Sequence, residues 1–264
     1  MIRQLLVGLL CVLALGMSVQ GAVFEENWDS GTIDAGTWLQ VDPGDDIIVR
    51  DLGGGDYALA LLGMLDGATG HGWDTGIYTQ ATHPRGGGGI YVQYKTWWGV
   101  NPHTALHGGW HHSQSGVVYG NDMFNSPEAT IGYFTTSLTY YESGDGFQAS
   151  GTAVVDPDFN TAFSAADSKE NAVVVRITLG DAIGAKFEYS TDDGATWNLG
   201  RDTLGTGTSS NPDNYVGFGP GYGANGFQDG TAYIDDIVVD IIPEPMTMAL
   251  LGLGGLALIR RRKA

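Results

Sequence analysis

The chain has 264 residues, of which 42 are glycine, 12 are Lys or Arg and 30 are Asp or Glu, giving a formal net charge of −18. That acidic surplus repels nucleic acid and anionic lipid headgroups and favours cations or neutral partners, and a single cysteine excludes an internal disulfide framework. Glycine well above its usual share of about 7%, interleaved with Tyr, Trp and Val, points to many short strands joined by tight turns rather than to a linker.

The first 21 residues have the parts of a secretory signal peptide. Arg3 supplies a positive start, Leu5 to Leu15 an apolar run, and Ser18 to Ala22 a small-residue exit, with cleavage expected after Gly21. Cys11 lies inside the apolar run behind Leu10, where a lipoprotein signal would have a small residue, so lipidation is not expected. The mature region then has no cysteine and must be held by its core or by bound metal. Residues 22 to 242 contain 7 basic and 29 acidic side chains, a net charge of −22.

Strand patterns recur along this region. Ile47 to Arg50 and Tyr57 to Leu62 flank a Gly53-Gly54-Gly55-Asp56 turn. Ile90 to Trp98 alternates Ile90, Val92, Tyr94 and Thr96 against Tyr91, Gln93 and Lys95, the period-2 signature of a half-buried strand. Val173 to Leu179, Ala185 to Tyr189 and Thr231 to Ile242 repeat it, and no helical periodicity is evident between the two termini. Many antiparallel strands in one domain, 22 to 242, predict an all-β, two-sheet antiparallel jelly-roll sandwich.

Two segments carry a family resemblance. Phe24-Glu25-Glu26-Asn27-Trp28-Asp29-Ser30-Gly31, followed by Trp38, is similar to the opening strand of concanavalin A-like (laminin G-like) domains, and Ala232-Tyr233-Ile234-Asp235-Asp236-Ile237-Val238-Val239 resembles their closing strand. The resemblance implies paired termini and a structural Ca²⁺ held by an aspartate of the closing strand, Asp235 or Asp236. Glu25, Glu26 and Asp29 would be further oxygen donors from the first strand.

Ser190-Thr191-Asp192-Asp193-Gly194-Ala195-Thr196-Trp197 matches the Asp-box pattern S-x-D-x-G-x-T-W. Ser190, Asp192, Gly194, Thr196 and Trp197 are read as a structural hairpin turn, with Asp192 accepting backbone N–H bonds, Gly194 at positive φ and Trp197 packing beneath. One box, and only four arginines in the mature region, do not make a sialidase propeller. All six histidines lie between residues 71 and 112, together with Trp73, Trp97, Trp98 and Trp110. Without cysteine or a carboxylate at ligand spacing, zinc is not expected there. The cluster reads instead as a polysaccharide-contacting face, with Trp97, Trp98 and Trp110 stacking on sugar rings and His111 bonding hydroxyls. The competing reading puts the tryptophans in the core and the histidines on exposed loops.

No E-x-D-x-x-E strand, nucleophile elbow or phosphate loop is present. The expected function is therefore non-enzymatic interaction with exopolysaccharide or matrix, the alternatives being a divergent glycan-active hydrolase or lyase and a purely structural matrix protein. The chain closes on Pro243-Glu244-Pro245, an apolar run from Met246 to Ile259, then Arg260-Arg261-Arg262-Lys263. Residues 243 to 264 resemble the PEP-CTERM sorting signal. This implies a hydrophobic helix held transiently in the inner membrane, basic end inside, and an exosortase-type membrane peptidase acting near Pro243, Glu244 and Pro245. Physically the anchor is marginal: 14 apolar residues fall short of the roughly 17–25 that span a bilayer, and the cations that follow fit the positive-inside rule.

Overall fold

A computed structural model describes residues 24–41, 47–62, 76–85, 88–100, 112–118, 127–134, 138–142, 154–155, 157–181, 183–207, 210, 213–219 and 231–242. The signal-peptide and sorting segments lie outside these residues. Among the described residues no helix is long and apolar enough to cross a membrane.

Among the described residues sixteen strands make two eight-stranded antiparallel sheets. The first contains β1 (Phe24–Glu26), β3 (Ile47–Gly53), β4 (Asp56–Leu62), β7 (Ile90–Val100), β12 (Val173–Leu179), β13 (Ala185–Ser190), β14 (Asn198–Asp202) and β16 (Thr231–Ile241), in the order β14-β13-β12-β7-β16-β4-β3 with β1 also on β16. The second contains β2 (Trp38–Val41), β5 (Gly76–Thr79), β6 (His83–Pro84), β8 (His112–Val118), β9 (Pro127–Phe134), β10 (Leu138–Glu142), β11 (Val154–Val155) and β15 (Asp213–Gly219). Its order is β11-β10-β9-β8-β15-β5-β2, with β6 beside β15. This is the expected all-β jelly-roll sandwich. First and last strands pair, Phe24 opposite Val239 and Glu26 opposite Ile237.

Alternation selects the core. Val92, Tyr94, Val175, Ile177, Phe187 and Ile234 of the first sheet join Ile77, Tyr140, Val216 and Phe218 of the second in one buried cluster, where a fully buried side chain of this size gains about 1.5–3 kcal/mol. Close approach sets residue size. A Cβ on Gly200 of β14 would collide with the Tyr140 hydroxyl, which is why that edge strand carries glycine.

The opening motif builds an aromatic corner. Glu26 Oε1 accepts from the Trp28 and Asn27 amides at 2.9 and 3.1 Å, and Oε2 accepts from Trp38 Nε1 at 3.0 Å. These bonds hold Trp28 at φ +60, uncommon for a bulky residue, fully buried against Trp38 at 5.2 Å between ring centroids.

Among the described residues one helix departs from the expected absence of helical periodicity between the termini. The helix α1 (Pro157–Ser164) starts on a proline at its first position and places Phe159 and Phe163, four residues apart, in the core. Phe159 stacks on Tyr140 at 5.9 Å, and Phe163 meets Trp98 edge-on at 4.8 Å. The pattern of two aromatics on an eight-residue helix is too short to announce itself as a period.

Candidate functional site

The adjacent tryptophans of β7 point to opposite faces of the first sheet, and both are buried, Trp97 at 3% and Trp98 at 1% exposure. Trp97 stacks on Tyr233 at 5.2 Å and 19° between planes, and Arg50 donates to the Tyr233 hydroxyl at 2.8 Å while lying over its ring. Trp98 packs on Phe163, and its amide donates to Ala166 O at 2.7 Å. Neither indole offers a face to a sugar, which corrects the expectation that both form a stacking platform. Trp110 and His111 lie outside the described residues. They immediately precede His112, the first residue of β8, which is the middle strand of the second sheet. His83 is buried in β6 rather than exposed on a loop.

The aspartates of the closing strand are engaged by lysines. Asp235 Oδ2 lies 2.7 Å from Lys169 Nζ, which also meets Asp56 Oδ1 at 2.6 Å. Asp235 Oδ1 accepts from the Asp236 amide at 2.8 Å. Burial raises the Asp235 carboxyl above its ordinary value, against the pull of Lys169 and the Asp236 amide. Burial pulls Lys169 down, but its bonds to Asp235 and Asp56 outweigh that and raise it strongly. Asp236, at φ +48 beside a bulge in β16, faces outward and meets Lys95 Nζ at 3.0 Å, as does Asp193 at 2.9 Å.

The residues expected to bind Ca²⁺ do not fit that ion as arranged. Asp235 and Asp236 each hold an ammonium, Glu26 is filled by three N–H donors, and Asp29 Oδ2 accepts from Asn27 Nδ2 at 2.7 Å. Among the described residues no three acidic, His or Cys side chains converge as a metal site.

The Asp-box residues join β13 to β14. Asp192 Oδ1 accepts from Ser190 Oγ at 2.7 Å and the Thr196 amide at 2.8 Å, and Oδ2 accepts from Thr196 Oγ1 at 2.6 Å. Ser190 Oγ accepts from the Gly194 amide at 2.9 Å, with Gly194 at φ +83. The Thr196 and Ser190 side chains hold the exposed Asp192 carboxyl down to about 2. Trp197 is half-buried, and the Arg176 guanidinium sits 3.8 Å over its ring.

Register exposes a feature the sequence reading missed. Across the second sheet, Leu39, Tyr78, Gly217, Gly116, Thr130 and Tyr141 are successive partners in one row. The adjoining row, Ile77, Phe218, Ser115, Ile131 and Tyr140, contains core residues, so the glycine row belongs to the outer face. A further row pairs Gly219 with Gln114 and Gln114 with Gly132. Glycine at 217 and 219, alternating with Val216 and Phe218, was the available signal. On that face Gly217, Gly219 and Tyr78 are all buried, Tyr78 at 1% exposure, so this part of the sheet is covered rather than open.

Comparison with known proteins agrees at both levels. The PEP-CTERM protein-sorting motif matches residues 242–263. No curated protein sequence matches the chain. Among solved structures, a Bacillus licheniformis β-glucanase aligns at 14% identity and TM-score 0.51, covering 85% of this chain and all of that one. The exoplasmic/lumenal domain of VIP36, in a Ca²⁺/Man2-bound form, aligns at 10% identity and TM-score 0.51, covering 78% and 81%. An engineered GH43 glycoside hydrolase aligns at 15% identity and TM-score 0.50 over 85% of this chain, which spans only 42% of that enzyme. Identities this low show a shared fold. The chain thus joins a two-sheet jelly-roll fold, shared with these structures, to a PEP-CTERM protein-sorting motif at residues 242–263.

Proposed function

We propose that this is an exported protein, sorted to the cell surface by an exosortase-type membrane peptidase, that contacts extracellular polysaccharide without cleaving it. The reading is carried by the sorting motif at residues 242–263 together with a fold shared with a β-glucanase and with the Ca²⁺/Man2-bound VIP36 domain. With Trp97 and Trp98 in the core, Trp110 is the tryptophan of the expected set left for stacking. The sequence lacks the E-x-D-x-x-E strand of jelly-roll hydrolases, whereas glycoside hydrolysis generally uses a pair of carboxylates across the scissile bond.

The test is affinity electrophoresis of the purified protein through gels cast with different polysaccharides and then stained for clearing. Retardation without clearing, lost in Trp110→Ala at unchanged melting temperature, is the expected result. Clearing would replace this reading with a glycan-active enzyme, and free migration in every gel would leave a structural matrix protein.

A further inference from the structure

The last strand of the fold runs straight into the sorting motif. β16 ends at Ile241, and the Ile242 amide still donates to Gly89 O at 2.9 Å. The motif itself begins at residue 242, and its apolar run begins at Met246. Four residues, fully extended, reach at most about 14 Å, so an apolar run held in a bilayer brings this end of the sandwich down to the lipid surface. The neighbouring strands have their ends here too. Ile241 pairs with Ile90 of β7, Ile90 with Leu179 of β12, and Leu179 with Ala185 of β13. The rim beside the tail is therefore built from the β12–β13 connection and from the residues that follow β14.

Both connections present apolar side chains to solvent. Among the described residues five large apolar side chains are exposed, and two of them, Ile183 at 37% and Leu204 at 38%, stand on this rim. Backbone contacts hold the two together. The Gly205 amide donates to Ile183 O at 2.9 Å and the Thr203 amide to Ala185 O at 2.8 Å, and a Cβ on Gly184 would come within 2.9 Å of Leu204 Cα. Contact continues to the tail. A Cβ on Gly180 would stand 3.2 Å from Leu204 Cδ2, and one on Gly89 would stand 3.3 Å from Gly180 Cα, while the Gly89 carbonyl holds Ile242. Ile241 and Ile242 are half-buried at the end of this path. Single exposed apolar residues are ordinary, but two locked side by side next to the exit of a hydrophobic tail share one surrounding.

We propose that this rim is a membrane-docking surface: Ile183 and Leu204 enter the headgroup region of the anchoring bilayer, on the side to which the protein is exported, and orient the sandwich on it. The inference rests on the sorting-tail reading above and adds a surface and an orientation to it. Strands succeed one another from β16 through β7 and β12 to β13 at about 4.7–4.9 Å, which puts Ile183 and Leu204 roughly 10–20 Å across the end of the sheet from the tail. A tether with a second support at that distance fixes the tilt of the domain. Apolar side chains gain by leaving water for the acyl boundary, and loops already bonded to each other lose little freedom on docking. Asp181 and Asp202, both exposed near these side chains, repel an anionic surface, so the lipid that fits is zwitterionic.

The experiment uses the exported chain with its tail, residues 22–264, in phosphatidylcholine vesicles that carry a nitroxide quencher on the headgroup. That chain has no cysteine, so Ile183→Cys, Leu204→Cys and Ala195→Cys each take a single fluorescent label. Ala195 lies on the turn at the far end of β13, about 20 Å of strand away from Ile183. Quenching at 183 and at 204 is expected to exceed quenching at 195 at least threefold. A spacer of about 20 Gly and Ser residues between Ile242 and Pro243 then frees the domain from its short tether. With the spacer, quenching at Leu204→Cys is expected to stay within twofold, and adding Ile183→Ser is expected to cut it severalfold at unchanged melting temperature. Should Ile183→Ser fail to fold, Leu204→Ser with the label at Ile183→Cys tests the same pair. Equal quenching at all three positions, or loss of it once the tether is lengthened, overturns the proposal and leaves the rim to a protein partner. Flotation with the vesicles reports the anchor separately: a chain that does not float refutes the tail reading and this inference with it.

Discussion

Lys169→Met isolates the interaction that stands where a bound cation was expected. The substitution keeps the length of the side chain and removes the ammonium lying 2.7 Å from Asp235 and 2.6 Å from Asp56. The Asp235 side chain is 2% exposed, so its carboxylate would be left buried with one backbone N–H as partner. Breaking a fully buried pair costs about 3–5 kcal/mol, and an exposed pair is worth about 0–1 kcal/mol. Lys169 is 30% exposed, which allows water to replace part of the ammonium, so a loss of about 2–3 kcal/mol is expected. In domains of roughly 150–250 residues each kcal/mol moves the melting temperature by about 2–4 °C, giving a drop of about 4–12 °C by calorimetry. Adding Asp235→Asn to Lys169→Met should recover much of the loss, because the uncompensated charge is gone. Two carboxylate oxygens that both reach one ammonium can also reach one Ca²⁺ at about 2.3–2.6 Å, so calcium should partly restore Lys169→Met and leave the wild type unchanged. A variant that melts with the wild type, or a wild type that loses stability to a chelator, would refute the argument.

Two further outcomes follow from the described geometry. Trp97→Ala should destabilise the protein by about 3–5 kcal/mol, the usual range for truncating a core tryptophan, read in a denaturant melt; loss of polysaccharide retardation at unchanged stability would return Trp97 to the surface. Asp192 has a folded-state value of about 2 against an ordinary 3.8. Its contribution to the β13–β14 turn is therefore complete above pH 3.8 and lost as pH falls through about 2. A carboxyl-carbon titration by NMR that finds Asp192 at its ordinary value would count against the hydrogen bonds drawn from Ser190 and Thr196.

Local chemistry made some of this molecule legible and long-range packing hid the rest. The Asp-box pattern names a turn whose bonds all fall within seven residues, from Ser190 to Thr196, so eight residues of sequence contain the information. Period-2 alternation likewise identified β7, β12, β13 and β16, because each strand's inward set is apolar. The sorting tail needs no fold at all, only an order of residue types. Alternation stops being informative where a sheet is covered on both sides. Ile90 to Thr96 follows the half-buried pattern, and then Trp97 and Trp98, on opposite faces, are both buried. Trp98 is covered by Phe163, 65 residues on, and Trp97 by Tyr233, 136 residues on.

The same distance explains Asp235 and His83. An aspartate in the closing strand reads as a calcium ligand until Lys169, from the short 3-10 turn Lys169–Asn171, is seen beside it. A histidine between Thr82 and Pro84 reads as a loop residue until β6 pairs with β15 and Phe24 closes over the ring. In each case the residue type was noticed and its partner was not, because nothing near it in sequence points to that partner. A side chain's chemistry is written locally, whereas its availability is set by whichever distant element packs on it. Sites proposed from composition alone therefore fail most readily for tryptophan and aspartate, the former recruited by cores and the latter by stray lysines. They survive best where the motif supplies its own partners, as the turn from Ser190 to Trp197 does.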